Sequence, residues 1–143
     1  WFDRAGAAAQ ARRALIAAGR LLIAHFDWIP LAGNVLEATE RLIEAHNPNW
    51  KFGGGTGLYP RWLTDVALAG FKAIETFSVD LDVPYSHQAW RGRVRASAGV
   101  GASLSAERIT QFDRELAKML RDRFPEDPLA VPHRLFALVC NSP

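Results

Sequence analysis

A single cysteine, Cys140, stands in 143 residues, so no disulfide can form within the chain. Its place in an apolar run fits a buried thiol in a reducing compartment, and a cytoplasmic location is expected. No apolar run approaches the roughly 18 residues of a membrane span, and the first residues do not have the basic-then-apolar layout of a signal peptide. Charge of one sign is also scarce: 17 basic against 15 acidic residues leave a formal charge of +2, too little to argue for a nucleic-acid or membrane partner. The four histidines share no metal-ligand spacing, and one cysteine cannot complete a zinc site, so no metal is expected. Internal repeats, low-complexity segments and a Gly-x-Ser-x-Gly nucleophile motif are likewise missing.

What is present is an ordinary globular composition, 49% hydrophobic and 22% charged, sized for one domain over residues 1–143. The chain is organised around Leu21-Leu22-Ile23-Ala24-His25-Phe26, apolar on both faces apart from His25. Such a run reads as a strand covered above and below, inside a sheet flanked by helices. Asp27 and Trp28 follow it, at the carboxyl end of the strand, where open α/β sheets bind their ligands. Asp3 is placed to cap a helix through about Ala18, and Gly19 to end it in a left-handed turn. A helix feeding a buried parallel strand is itself fed by another strand, which these residues do not include, so an upstream part is expected.

Asn34 and Glu37 mark the start of a helix to His46 that Asn47-Pro48 ends. The stretch 49–59, four glycines among aromatics, reads as a mobile flap, and residues 28–70 as a helical flap insertion over the site. Pro60 opens a short helix that Gly70 closes. Alternation from Phe71 to Val83 predicts a strand near a sheet edge, with Phe71, Ala73, Phe77, Val79, Leu81 and Val83 on its buried face. Ser86 and Ser105 cap helices over about 87–98 and 106–124, and 129–140 is a strand whose unbroken Leu135–Cys140 run calls for cover on both faces.

Taken together, Trp1-Phe2-Asp3-Arg4, Arg13-Ala14-Leu15 with Gly19-Arg20-Leu21-Leu22-Ile23, the alternating strand opened by Phe71, and the closing long helix and apolar strand resemble the C-terminal half of a class I S-adenosylmethionine-dependent methyltransferase. Val83-Pro84-Tyr85-Ser86-His87 and Trp90-Arg91-Gly92-Arg93-Val94-Arg95-Ala96-Ser97 resemble a substrate-side segment of one subgroup. The resemblance covers nearly the whole chain. It implies a partial Rossmann-like α/β sheet ending in antiparallel strands, the last strand lying between the other two. It also implies S-adenosylmethionine as cofactor and methyl transfer to a small-molecule acceptor. The family's glycine-rich turn and ribose-binding acid have no counterpart in these residues, so the chain alone is expected to be inactive. Gly53-Gly54-Gly55-Thr56-Gly57 does not replace the turn, since no buried strand precedes it and no Lys-Ser/Thr follows.

By the resemblance, Trp1 and Phe2 lie beside the methionine end of the cofactor, and Asp27 and Trp28 face the substrate. From the residues themselves, His25 or Asp27 is the candidate general base. Trp50 and Tyr59 are candidates to line an apolar acceptor pocket, while Trp62, at helical spacing, reads as structural. Arg91 and Arg95, one helical turn apart with Trp90 alongside, could clamp a carboxylate or phosphate, but a solvated face paired with neighbouring acids is the favoured reading. A second class of function stays open. The long apolar strand, left without its upstream neighbour, invites pairing with the missing N-terminal half, a second chain, or another copy in a homodimer.

Overall fold

In the computed structural model, which describes residues 3–143, five helices and three strands make a mixed α/β chain. In order they are α1 (Arg4–Ala14), β1 (Arg20–Trp28), α2 (Val35–His46), α3 (Arg61–Leu68), β2 (Lys72–Tyr85), α4 (His87–Arg95), α5 (Ala106–Arg123) and β3 (Leu129–Asn141). The strands form one sheet in the order β1-β3-β2, so the last strand lies between the other two as expected. β1 and β3 run antiparallel: Ser142 N donates to Gly19 O at 2.7 Å near one end, and Ile29 N to Pro132 O at 2.9 Å near the other.

The chain divides into two compact units. Among the described residues the first comprises 3–27, 57–80 and 134–143, and the second 28–56 and 81–133. In the second unit α2 and α4 both pack against α5 around Trp90, Phe112, Leu36 and Ile43, all fully buried. Local chemistry starts each of these helices. The Asn34 side chain accepts from Glu37 N at 2.9 Å while the Glu37 carboxylate accepts from Gly33 N at 2.8 Å, and Ser86 Oγ accepts from Ala89 N at 3.1 Å. At α5, Ser105 caps the helix, Glu107 sits in the first turn, and Arg121 and Arg123 sit in the last, each sign at the favourable pole of the helix.

In the first unit α1 packs on α3, tied by Arg4 Nε to Asp65 Oδ2 at 2.9 Å. Val66, Phe71, Leu138 and Cys140 form its buried core, with Leu21, Ile23 and Ile74 against them. Burial raises the Cys140 thiol above its usual range.

Four expectations are corrected here. The helix α1 stops at Ala14 and Asp3 makes no side-chain cap; Leu15 turns onto the core, and Ala18 N pairs with Ser142 O at 3.1 Å, drawing the chain into the sheet early. The left-handed residue before β1 is Ala18, at φ 58°, and not Gly19. Gly19 is needed for another reason, since a Cβ there would stand 2.8 Å from Ile16 O.

The third correction concerns β1. It is an edge strand covered on one face: Leu21 and Ile23 pack inward, while Leu22 on the opposite face is 62% exposed. The fourth is the face of β2. Ala73 takes φ +48°, which breaks the alternation between Phe71 and the strand, so Ile74 joins the core, and Phe77 and Val79 are 51% and 50% exposed. The edge position expected for β2 is observed.

Candidate functional site

At the carboxyl end of β1 the period of two sends His25 and Asp27 to the same face, and Tyr59 reaches them from the turn before α3. Asp27 takes one partner on each oxygen. His25 Nδ1 lies 2.9 Å from Oδ1, and the Tyr59 hydroxyl donates to Oδ2. Tyr59 Oη is also 3.2 Å from His25 Nδ1, so the three side chains close a ring of polar contacts.

Aromatic packing holds this ring in place. The Trp62 indole stacks on the Tyr59 phenol at 4.4 Å between centroids with 12° between planes, and Phe136 of β3 lies against both at 6.0 and 5.7 Å. Pro60, entering α3 with φ −61°, sets the turn that brings Tyr59 and Trp62 onto one side. The His25 side chain keeps 49% of its surface exposed. Burial, and then the hydrogen bond to Asp27 and its charge, push the Tyr59 phenol well above its ordinary range, so it stays protonated at all physiological pH.

The remaining candidates lie in the second unit. The side chain of Trp28 is half-buried: its Nε1 donates to Glu40 Oε1 at 2.8 Å, its ring meets Trp90 edge-on at 5.4 Å, and the Arg93 guanidinium sits 5.5 Å from it. Trp50 packs on the core, close against Gly99, where an added Cβ would meet the indole at 3.0 Å.

Trp90 is 0% exposed and gives its Nε1 proton to Thr39 Oγ1 at 3.2 Å, so it is a core residue and offers no face to a substrate. Arg91 and Arg95 converge as their spacing demands, but on a partner within the chain. Arg91 Nε meets Asp113 Oδ1 at 3.0 Å with a second nitrogen on Oδ2, and Arg95 reaches Oδ1 at 2.6 Å. Of the two readings of this pair, the internal ion pair is the one observed. The Arg91 hydrogen bond in turn holds the Asp113 carboxyl below its usual range.

Trp1 and Phe2 lie outside the described residues. The glycine-rich stretch follows α2 and no strand, and its Gly54 N donates to Glu40 Oε2 at 2.8 Å. Carboxylate oxygens of Glu44 and Glu40 crowd Gly53, within 3.2 and 3.4 Å of where its Cβ would be. With that amide taken up by Glu40 and the Glu44 carboxylate alongside, negative charge repels phosphate or carboxylate, so this loop does not fit the anionic groups of a nucleotide or of S-adenosylmethionine. Among the described residues no cluster of His, Cys, Asp and Glu could hold a metal, and no helix is long and apolar enough to cross a membrane.

Sequence reading placed His25, Asp27 and Tyr59 among the site candidates and set Trp62 aside. The spacing Tyr59-x-x-Trp62 across a helix start, which stacks two rings, was the available signal. Asp113 carried no signal of its own, since its partners are 22 and 18 residues away.

No protein-family model matches the chain, and no curated protein matches it. Among solved structures, it is similar to a protein from Bacillus halodurans provisionally described as a methyltransferase, with 13% identity and a TM-score of 0.46. The alignment covers 97% of this chain and 58% of that one, so the chain spans less than two thirds of that protein's length.

Proposed function

We propose that this chain supplies the acceptor side of a methyltransferase that uses S-adenosylmethionine and a small-molecule acceptor. The observation that carries the reading is the gathering of His25, Asp27 and Tyr59 at the carboxyl end of β1, where open α/β sheets place their chemistry. The strand order, with β3 between β1 and β2, agrees with the fold that the sequence resemblance implies. The methyl donor is assigned to residues outside this chain, because the glycine stretch here is occupied by its own glutamate.

Within that reading the residues have a limited task. Methyl transfer to oxygen or nitrogen requires an acceptor held in line and at most one proton removed, and positioning supplies most of the rate. His25 takes the proton, Asp27 orients the imidazole, and the Tyr59 and Trp62 rings bound the acceptor. Co-expression with an N-terminal methyltransferase half, followed by transfer of labelled methyl to phenols, amines and carboxylates, tests it. His25→Gln lowers turnover about 10²- to 10⁴-fold with acceptor binding retained. Equal turnover in that variant overturns the assignment.

A second reading is favoured by a separate observation. Leu22, Phe77 and Val79 are exposed together on one face of the sheet in the first unit, and β1 pairs on one side alone among the described residues. This is the surface of a module that pairs with itself or with a second chain. Light scattering tests the self-pairing arm, since a monomer at every concentration counts against it.

A further inference from the structure

We infer that Tyr59 is a positioning residue that fixes the tautomer of His25, leaving Nε2 as the basic nitrogen of its ring. Asp27 as a carboxylate only accepts, and it has one neighbour on each oxygen: His25 Nδ1 at 2.9 Å from Oδ1, and the Tyr59 hydroxyl on Oδ2. The phenol has a single proton, and it is spent on Asp27. Toward His25, 3.2 Å away, Tyr59 Oη therefore presents a lone pair. Nδ1 faces two acceptors and no donor, so Nδ1 carries a hydrogen.

The lone pair of the neutral imidazole is then on Nε2, which has no protein partner among the described residues. Free histidine favours the opposite tautomer, with the hydrogen on Nε2. The cluster therefore selects the form in which the outward nitrogen is basic, which is the task an orienting carboxylate performs for a general base. Tyr59 contributes what Asp27 alone lacks. By holding Oδ2 it stops the carboxylate from rotating, and by spending its own proton there it bars itself from donating to Nδ1. Burial and the neighbouring charge keep the phenol protonated, so this arrangement persists across the pH range in which histidine titrates. Stacking on Trp62 fixes the plane of the phenol, and with it the direction of the O–H.

The inference deepens the proposed role of His25 as base, yet its test needs neither donor nor acceptor, so the two fail separately. Long-range ¹H–¹⁵N correlation on the uniformly labelled chain, above the imidazole titration, reports which ring nitrogen bears hydrogen. For His25 the expected result is a pyrrole-type Nδ1 and a pyridine-type Nε2. Tyr59→Phe keeps the ring stacked on Trp62 and removes only the hydroxyl, and it should move both nitrogen shifts toward the averaged values of free histidine. Asp27→Asn, whose amide can donate to Nδ1, should reverse the pattern. Amide spectra of both variants that match the parent outside the cluster establish that they fold. A His25 in the parent with hydrogen on Nε2, or a Tyr59→Phe variant with unchanged His25 shifts, overturns the inference.

Discussion

The two units bury themselves in different ways. The second closes three helices around a tryptophan, a phenylalanine and several aliphatic side chains, and its principal ion pair, Arg91 with Asp113, is spent on joining α4 to α5. The first has a smaller core cluster, Val66, Phe71, Leu138 and Cys140, with Ala8, Phe136 and Ala137 buried besides, and leaves Leu22, Phe77 and Val79 in water on the opposite face of its sheet. The polar cluster with an exposed histidine also belongs to it. In the second unit Trp90, Arg91 and Arg95 are spent on structure, whereas in the first a polar cluster and exposed apolar side chains remain available for chemistry or for a partner. An arginine pair or a buried tryptophan is thus a weaker sign of a site than a half-exposed histidine with both a carboxylate and a phenol at one nitrogen.

The sharpest way to break this contrast is to empty each core in turn. Trp90→Ala removes the largest fully buried side chain among the described residues and with it the Nε1 bond to Thr39, so unfolding in urea should show a loss of about 3–5 kcal/mol. Leu138→Ala in the first unit should cost about 2–5 kcal/mol. Because the two cores share no buried residue, hydrogen exchange should rise mainly within the unit that carries the change. Uniform loss of protection across both units in both variants would show that the division has no energetic meaning.

The next effect is smaller and depends on pH. Arg91 and Arg95 hold the Asp113 carboxyl below its usual range, so the folded state binds this proton more weakly than the unfolded chain. The stability gained is complete above the unfolded value of about 3.9, and is lost as pH falls through the lower folded value. Asp113→Asn should therefore cost about 1–3 kcal/mol at neutral pH, with the difference from the parent shrinking toward acid. A difference that stays constant from neutral pH to strong acid would mean that packing at Asp113, and not its charge, is what matters.

These contrasts also explain which parts were legible in the sequence. Helix starts at Asn34, Ser86 and Ser105 were readable because a cap is a local bond between residues three apart. The place of β3 between its neighbours followed from the family resemblance, and its unbroken apolar run agrees with the cover it receives. β1 has the same kind of run and a different environment, since whether Leu22 is covered depends on what stands next to it in space. The face of β2 is not legible in the sequence because one left-handed residue, Ala73, shifts the alternation, and alanine carries no mark of that conformation. In the site, His25 and Asp27 could be paired by their spacing on a strand, whereas the link to Tyr59, 32 residues from Asp27, depends on tertiary structure.

The smallest expected change in stability falls on the uncovered face, and there the sign of the comparison is what counts. Leu22 is already mostly in water, so Leu22→Ser should alter the stability of the isolated chain by no more than about 0.5 kcal/mol, far below the cost of Leu138→Ala a short way across the same sheet. If the face instead receives a partner, full burial of one such leucine contributes roughly 1.5–3 kcal/mol to each copy, and the same serine weakens association by about tenfold or more. Sedimentation of the parent and Leu22→Ser chains over a range of concentrations separates the two cases. Parallel behaviour of both as monomers leaves the face an ordinary exposed surface. Association in the parent that is lost in the variant makes β1 and its neighbours a protein-binding surface, and makes the thin core of the first unit intelligible as half of a larger one.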